Sequence, residues 1–221
     1  MHSINTRAAR PARALVGCLI AAGAVLLILG IASYLVATNW RGWAADLLTK
    51  ATTAMLEQSD LPEAERKEMI VHIADYASDF ESGAIGFDAF QRTMELMSSS
   101  SLIPVGMVYT VDEGYLKPSE MPDEEKAAAS LELQRLARGV HEQTIPSTAV
   151  EEVLTPISYR DADGTFRLNV KSAVTPDMLR AVAAEAKSKA DAASVPAEPF
   201  VVDLSDELKR LLDESRTPAG G

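Results

Sequence analysis

The stretch MPDEEKAAASLELQRLARGVHEQ, residues 121–143, carries the clearest helical pattern in the chain. Its acidic residues cluster in the first turn and its arginines come late, which is the arrangement that the helix dipole favours. We expect the face that packs inward to carry Ala128, Leu131, Leu136 and Val140. The stretch therefore predicts an amphipathic helix that contributes to a core.

Helical periodicity recurs on both sides of this stretch. Further helices are predicted over residues 40–55, 60–83, from 87 into the serine run 98–101, and over 104–116, 147–154, 175–193 and 204–212. Asp60 is predicted to cap the second helix and Gly83 to end it, while Thr175 caps the helix that Pro176 begins. The pattern predicts a mostly α fold.

One segment favours β-structure. The stretch ISYRDADGTFRLNV contains two alternating runs on either side of Asp161–Gly164, which is typical of a turn. It predicts one small β-hairpin near 157–170. We expect the acidic helical domain to cover residues 38–213 and the last residues, 214–221, to form a disordered tail.

The amino-terminal region predicts a membrane anchor. Residues 14–37 run for 24 positions without a charge, which corresponds to about 36 Å of helix. The hydrocarbon layer of a bilayer is about 30 Å thick, so a helix of this length spans it with some tilt. We therefore expect a single transmembrane helix over 14–37, preceded by a short stub over 1–13.

Two alternatives to an uncleaved anchor remain open. Leu15–Cys18 matches the pattern that precedes a lipidated cysteine, but cleavage there would leave most of the apolar run on the mature protein. A signal peptidase site at Gly30–Ala32 is the other alternative. It is disfavoured because the chain stays apolar as far as Ala37.

Charge predicts the orientation of the anchor. The first 13 residues hold three arginines and no acid, so 18 of the 21 basic and all 32 acidic side chains lie beyond residue 38, a balance of −14. Positive flanks stay on the cytoplasmic side, which places the amino terminus inside and the large domain outside. Trp40 and Trp43 are positioned for the outer interface. An acidic domain is also a poor partner for nucleic acid.

The predicted span carries small residues at regular intervals. Gly23, Gly30 and Ala37 recur every seven residues, and such residues let helices approach each other closely in lipid. The predicted partners of residues 14–37 are the bilayer, which the span crosses, and a second copy of this helix, which it binds weakly. Cys18 is the chain's single cysteine, so the outer domain contains no disulfide.

The segment SDFESGAIGFDAF, residues 78–90, resembles the turn of an EF-hand over about 13 residues. Gly83, Ile85 and two phenylalanines stand at the expected places. The four positions that supply calcium ligands hold Ser78, Phe80, Ser82 and Ala89, none of which is a carboxylate. The segment predicts a helical hairpin turned by glycines instead of a calcium site.

The other chemistry-bearing residues predict no site. His72 shares a helix face with Glu68, Asp75 and Asp79, which is an ordinary pattern for a solvated surface. His141 lacks the second histidine of a zincin helix. The acid pairs Asp112-Glu113 and Glu151-Glu152 are also expected on solvated helix surface. The sequence predicts no catalytic, cofactor-binding or metal-binding residue.

These observations favour a structural or protein-interaction role outside the cytoplasm for a membrane-anchored helical protein. Such a role requires no chemistry that the chain lacks. An accessory or sensory subunit of a larger membrane complex is the alternative, and an enzyme of unknown chemistry is a third, weaker possibility.

Overall fold

The computed structural model describes residues 39–217, which form eight α-helices. They are α1 over 39–57, α2 (Glu63–Ser82), α3 (Phe87–Ser99), α4 (Leu102–Val111), α5 (Asp123–His141), α6 (Thr148–Val153), α7 (Pro176–Ala192) and α8 (Leu204–Arg216). Contacts divide the chain into a unit of residues 1–44, of which only the helical 39–44 are described, and a unit of residues 45–221. The mostly α fold is confirmed.

The core of the larger unit forms where α5 packs against α4 and α7, and where α8 packs against α2 and α3. Leu136 of α5 and Val108 of α4 are fully buried. The predicted inward face of α5 is partly wrong, because Ala128 is exposed while Ala129 and Leu133 are buried. The α5 helix packs on two neighbours, so its buried surface is rotated and wider than one narrow stripe.

A glycine permits one close approach in this core. A Cβ added at Gly139 on α5 would lie 2.4 Å from Cδ1 of Ile145, which is buried. Ile145 belongs to the turn that follows α5, and its amide donates to the carbonyl oxygen of Gly139 at 2.9 Å. The absent side chain therefore lets the chain fold back directly onto the helix.

The helical hairpin of α2 and α3 is confirmed. Gly83 ends α2 in the left-handed conformation at φ 80°, as its position predicts. The amide of Ile85 donates to the carbonyl oxygen of Asp79, and the rings of Phe80 and Phe90 pack with centroids 5.7 Å apart. Backbone hydrogen bonds and apolar packing thus shape the turn between the two helices.

The predicted cap at Asp60 is wrong. Pro62 occupies the N-cap position of α2 and makes no side-chain cap hydrogen bond. The Asp60 carboxylate instead pairs with Lys171 at 2.7 Å and packs against the bare Cα of Gly114. The carboxylate that local spacing assigned to a helix cap instead pairs with a lysine 111 residues away in the sequence.

Thr175 caps α7 as predicted, since its hydroxyl accepts from the amide of Met178 at 3.3 Å.

The predicted β-hairpin is confirmed. Antiparallel strands β1 (Ser158–Arg160) and β2 (Phe166–Leu168) flank a turn in which Oδ1 of Asp161 accepts two backbone amides. These hydrogen bonds explain the acidic loop as a structural turn.

The helix predicted over 104–116 begins earlier and changes character at its end. The α4 helix covers Leu102–Val111, and a π-helical turn continues it from Asp112 to Leu116. Short 3₁₀ turns occur at Thr155–Ile157 and Lys171–Ala173. The π turn widens the helix at Asp112, and this residue lines a cavity.

The last helix extends into the predicted tail. The α8 helix ends at Arg216, so residues 214–216 are helical instead of disordered. Ser215 is fully buried, and Nη2 of Arg216 pairs with Asp79 of α2 at 2.8 Å. These contacts come from α2, far away in sequence, and nothing within the tail itself indicates them.

Across residues 39–217, no helix combines the length and the apolar composition that a membrane span requires. The predicted stub over 1–13 and the predicted span over 14–37 lie outside the described residues, as do the last four residues of the tail, 218–221. The membrane anchor and its orientation therefore stay predictions.

Candidate functional site

An apolar groove opens on the surface of the larger unit. Helices α1, α2, α3 and α8 and the start of α4 enclose a cavity of about 280 Å³. Its walls are formed by apolar side chains that include Leu48, Ile73, Phe90, Met94, Met97 and Leu208. The groove is therefore a hydrophobic depression between helices, with the volume of several side chains.

The base of the groove is tied together by hydroxyl groups. The Tyr76 hydroxyl lies 2.6 Å from the hydroxyl of Thr93, and the Ser215 hydroxyl lies 3.3 Å from that of Tyr76. Thr93 and Ser215 each donate to a carbonyl oxygen of their own helix as well. With those two hydrogens used, the Tyr76 hydroxyl donates to the Thr93 hydroxyl oxygen. All three hydroxyl hydrogens are therefore used within the protein, and none is free to donate to a ligand in the groove.

The apolar side chains at the rim are unusually exposed. Met94 is 54% exposed and Ile103 is 53% exposed. Helical periodicity places Phe87, Phe90, Met94 and Met97 on one face of α3, but Thr93 is the one buried residue of this helix. Methionines adapt to many shapes, and exposed methionines beside an apolar groove are typical of a surface that binds another molecule.

A second, smaller cavity of about 140 Å³ lies beside Asp112. Its polar lining comes from Glu65, Tyr109, Asp112, Glu113, Lys117 and Gln134, and its apolar lining from Pro62, Val201, Val202 and Leu204. These residues belong to α2, to α4 with its π turn, to α5, and to the segment before α8. We call this cavity the Asp112 cleft.

Asp112 was expected on solvated surface, and that expectation is wrong. The residue is only 5% exposed. Its Oδ2 accepts from the Ser130 hydroxyl at 3.0 Å, while Oδ1 is buried without a hydrogen-bond partner among the described residues. Lys117 is the nearest cation, 3.9 Å from Oδ2. A buried carboxylate oxygen that lacks a partner is costly, so this atom needs an explanation.

A hydrogen-bond chain connects Asp112 to the segment before α8. The Gln134 amide donates to the Ser130 hydroxyl at 3.3 Å, and its carbonyl oxygen accepts from the Phe200 amide at 3.2 Å. The Val202 amide donates to the hydroxyl of Tyr109 at 2.5 Å. These bonds fix the far wall of the cleft, so the Asp112 carboxylate lies in a preformed setting.

Burial shifts the pKa of three groups at this cleft in the same direction. Burial raises the pKa of the Asp112 carboxyl above its ordinary value, although the Ser130 hydroxyl and Lys117 oppose the change. Burial also raises the pKa of Glu65 and that of the Tyr109 phenol. In each case the cause is the loss of water around the charged form.

The second acid pair behaves as expected for surface residues. Glu151 pairs with Arg160 at 2.5 Å and Glu152 pairs with Lys189 at 2.6 Å, and all four side chains keep substantial exposure. Of the four acids in the two pairs, Asp112 is the one that is buried. The sequence did contain a signal for its burial. Asp112 continues the series of Val105 and Val108 along the buried face of α4, where an acid is out of place.

The acids around His72 have partners of their own. Glu68 accepts from the Ser205 hydroxyl at 2.8 Å, and Asp79 pairs with Arg216. Within residues 39–217, no group of three or more His, Cys, Asp or Glu side chains is placed to hold a metal ion. The face that carries His72 instead joins α2 to α8.

Comparison with known proteins gives no relative from which a function follows. No family model matches the chain, and no curated protein or solved structure has significant similarity to it. The two cavities and their chemistry are therefore the basis for a functional hypothesis.

Proposed function

We propose that this chain is a membrane-anchored protein whose helical domain binds another protein outside the cytoplasm. The apolar groove carries the proposal, because it presents exposed methionine and isoleucine side chains over a floor whose hydroxyls are already paired. The predicted span over 14–37 supplies the anchor. The proposed role is structural or that of an adaptor, in which the domain binds a protein and catalyses no reaction.

The partner that fits best is an amphipathic helix with basic flanks. Grooves between helices accept the apolar face of such a helix, with side chains spaced by three and four residues entering the cavity. The sequence beyond residue 38 has a charge balance of −14. This field repels a second copy of the domain and attracts a basic segment.

Site-directed photocrosslinking in native membranes tests the proposal. The benzophenone amino acid p-benzoylphenylalanine replaces Met94 at the rim of the groove in one variant and Tyr159 of β1 in the control. Tyr159 is 52% exposed, almost the same as Met94, but it is not a lining residue of the groove. A protein adduct of discrete mass is expected from position 94 alone. Adducts to lipid only, or equal adducts from both positions, would overturn the proposal.

Charge substitution provides an independent measurement once the adduct has been identified by mass spectrometry. Met94→Glu places a carboxylate in the groove and should weaken copurification of that partner at least tenfold, because burying an unpaired charge is costly. Tyr159→Glu should leave it unchanged. Both side chains are half-exposed, so neither substitution should alter the helical circular dichroism. Unchanged copurification with Met94→Glu counts against the groove.

A sensory subunit of a membrane complex is the second candidate. The Asp112 cleft favours it, because a preformed polar cavity is more typical of a ligand site than of a scaffold. A sensory role also needs the protein contact that the groove would provide. The two candidates are therefore compatible.

A further inference from the structure

We infer that α1 pairs in parallel with the α1 helix of a second copy of this chain, along an exposed apolar face. The name α1 seam is used here for four residues of this face, Leu47, Ala51, Ala54 and Met55. None of the four lines the groove or the Asp112 cleft. The inference is therefore independent of the proposed binding of another protein in the groove.

The α1 seam is an apolar helix face that contacts solvent. Leu47 is 70% exposed and Met55 is 73% exposed, more than the side chains at the rim of the groove. Ala51 and Ala54 are exposed as well. At 3.6 residues per turn, the four residues lie within about 100° of the helix circumference. Large apolar side chains grouped in this way mark a surface that another molecule covers.

The α1 helix packs on its own domain through a different face. Ala45 is buried, and Leu48 and Thr52 line the groove. These three residues lie about 100° around the helix from the centre of the α1 seam. A partner can therefore cover the seam while the packing of α1 on the domain stays as it is.

The sequence that leads into α1 indicates which partner covers the seam. Small residues recur every seven positions at Gly23, Gly30, Ala37, Ala44 and Ala51. The first three belong to the predicted span, which ends two residues before α1 begins, and the last two belong to α1. The small-residue repeat that favours helix pairing in lipid thus continues into the described helix in the same register.

This repeat gives the α1 seam the positions of a coiled coil. With Ala44 and Ala51 at position a, Leu47 and Ala54 fall at position d and Met55 falls at e. The α1 helix alone holds fewer than three heptads, whereas the series from 23 to 51 covers four, which is enough for a coiled-coil pattern. A second copy carries the same repeat in the same register. The predicted span inserts every copy in one orientation, so the pairing is parallel.

The charges of α1 permit contact between copies. Residues 39–57 carry Arg41 and Lys50 against Asp46 and Glu57, so this helix has no net charge. Lys50 pairs with Asp46 of its own helix at 2.7 Å. The acid excess that repels a second copy elsewhere on the domain is therefore absent along α1. Anchoring in one bilayer also gives two copies a high effective concentration.

Disulfide crosslinking of the full-length chain in native membranes tests the α1 seam. Cys18→Ser first removes the natural cysteine. Leu47→Cys, Ala51→Cys and Ala54→Cys are then made in separate chains and oxidised with copper phenanthroline. Each should yield a disulfide-linked dimer, because identical residues of two copies face each other across a twofold axis.

Asp46→Cys is the matched control. The Asp46 side chain is 60% exposed and adjacent to Leu47 in sequence, but it lies about 130° around the helix from the centre of the seam. The cysteine at position 46 should therefore give at least about fivefold less dimer than the cysteine at position 47.

A charge in the seam provides a second measurement. Leu47→Glu in the Ala51→Cys chain should lower the yield of dimer at least about fivefold, because two unpaired carboxylates would be buried against each other. Tyr159→Glu adds the same charge at a 52% exposed position on β1 and should leave the yield unchanged.

Equal yields of dimer at positions 46 and 47 would show random collision and overturn the inference. Absence of dimer at 47, 51 and 54, or an unchanged yield with Leu47→Glu, would overturn it as well. Circular dichroism of each purified variant establishes that it is folded, and Ala51→Cys and Ala54→Cys decide the matter if a change at Leu47 prevents folding. Failure of the Met94 photocrosslink would concern the groove alone, since Met94 is not part of the α1 seam.

Discussion

The guanidinium of Arg135 donates two hydrogen bonds to the carbonyl oxygen of Val195, from Nη2 at 2.7 Å and from Nε at 3.2 Å. Arg135 lies on α5 and is 5% exposed, whereas Val195 lies just beyond the end of α7. The same guanidinium pairs with Asp191 at 2.7 Å and with Glu132 at 2.6 Å. One buried side chain thus joins α5 to the end of α7.

Replacing Arg135 should be among the most destabilising changes to a polar residue. Arg135→Ala leaves the Val195 carbonyl without its side-chain donor, and we expect a loss of about 3 kcal/mol in the free energy of unfolding. Arg135→Lys should recover only part of this stability, because a lysine ammonium cannot reproduce the hydrogen bonds that the planar guanidinium group donates. Denaturant unfolding measures the change.

Arg180→Ala is the control for that experiment. Arg180 pairs with Glu125 at 2.9 Å, but its side chain is 46% exposed. An exposed ion pair contributes at most about 1 kcal/mol. If the two alanine variants lost equal stability, the structural role assigned to Arg135 would be wrong.

Gly139 provides a second test of packing. Gly139→Ala directs a methyl group onto the buried side chain of Ile145, and we expect a loss of about 1–2 kcal/mol after the gain in helix propensity is included. Gly106→Ala is a matched helical control, since an added Cβ there meets nothing within 4 Å. It should be neutral or stabilising by up to about 1 kcal/mol. Thermal unfolding of both variants distinguishes crowding from propensity.

Asp112 should make the protein less stable as the pH rises. Burial raises the pKa of its carboxyl in the folded protein, with the Ser130 hydroxyl and Lys117 lowering it and Glu113 raising it. Below the unfolded pKa both states are protonated and the full stability is present. As the pH climbs through the folded pKa, the buried group must ionise and stability is lost.

The corresponding measurement is the melting temperature as a function of pH for Asp112→Asn. The variant should melt higher than the unsubstituted protein at neutral pH, and the difference should vanish at acid pH. A change of about 1 kcal/mol corresponds to roughly 2–4 °C for a domain of this size. A variant that melts lower at neutral pH would show that ionised Asp112 stabilises the fold.

The predicted topology is testable by cysteine labelling. Ser99 is exposed at the end of α3, so Ser99→Cys should react with a membrane-impermeant maleimide on intact cells, or on spheroplasts if an outer membrane intervenes. The unsubstituted chain, whose single cysteine is Cys18 within the predicted span, should remain unlabelled. Labelling of Ser99→Cys only after lysis contradicts an extracytoplasmic domain.

The predicted span also suggests a test of self-association. Gly23→Leu combined with Gly30→Leu should weaken any dimer detected by crosslinking in membranes, because bulky side chains prevent close helix approach. Ile28→Ala, on the opposite face of the predicted helix from Gly23 and Gly30, serves as the control and should leave the dimer intact. An unchanged crosslinking pattern in the double glycine variant rules out this face.

Local sequence determined the helices, their approximate ends and the β-hairpin. Gly83 ends α2 because the left-handed conformation suits glycine, and Thr175 caps α7 because its hydroxyl reaches an amide three residues on. The alternating residue pattern on either side of Asp161 predicted β1 and β2, because the two-residue period of a strand is also visible in the local sequence. These features depend on interactions within a few residues, which a single sequence displays directly.

Only the tertiary structure decided where polar groups lie and which apolar faces are covered. Asp60 pairs with Lys171 instead of capping a helix, and Ser215 is buried against Tyr76, because segments more than a hundred residues apart meet in the fold. Asp112 sits in a cavity that α2, α5 and the segment before α8 complete. Burial and pKa depend on neighbours in space, whereas periodicity specifies only which residues share a helix face.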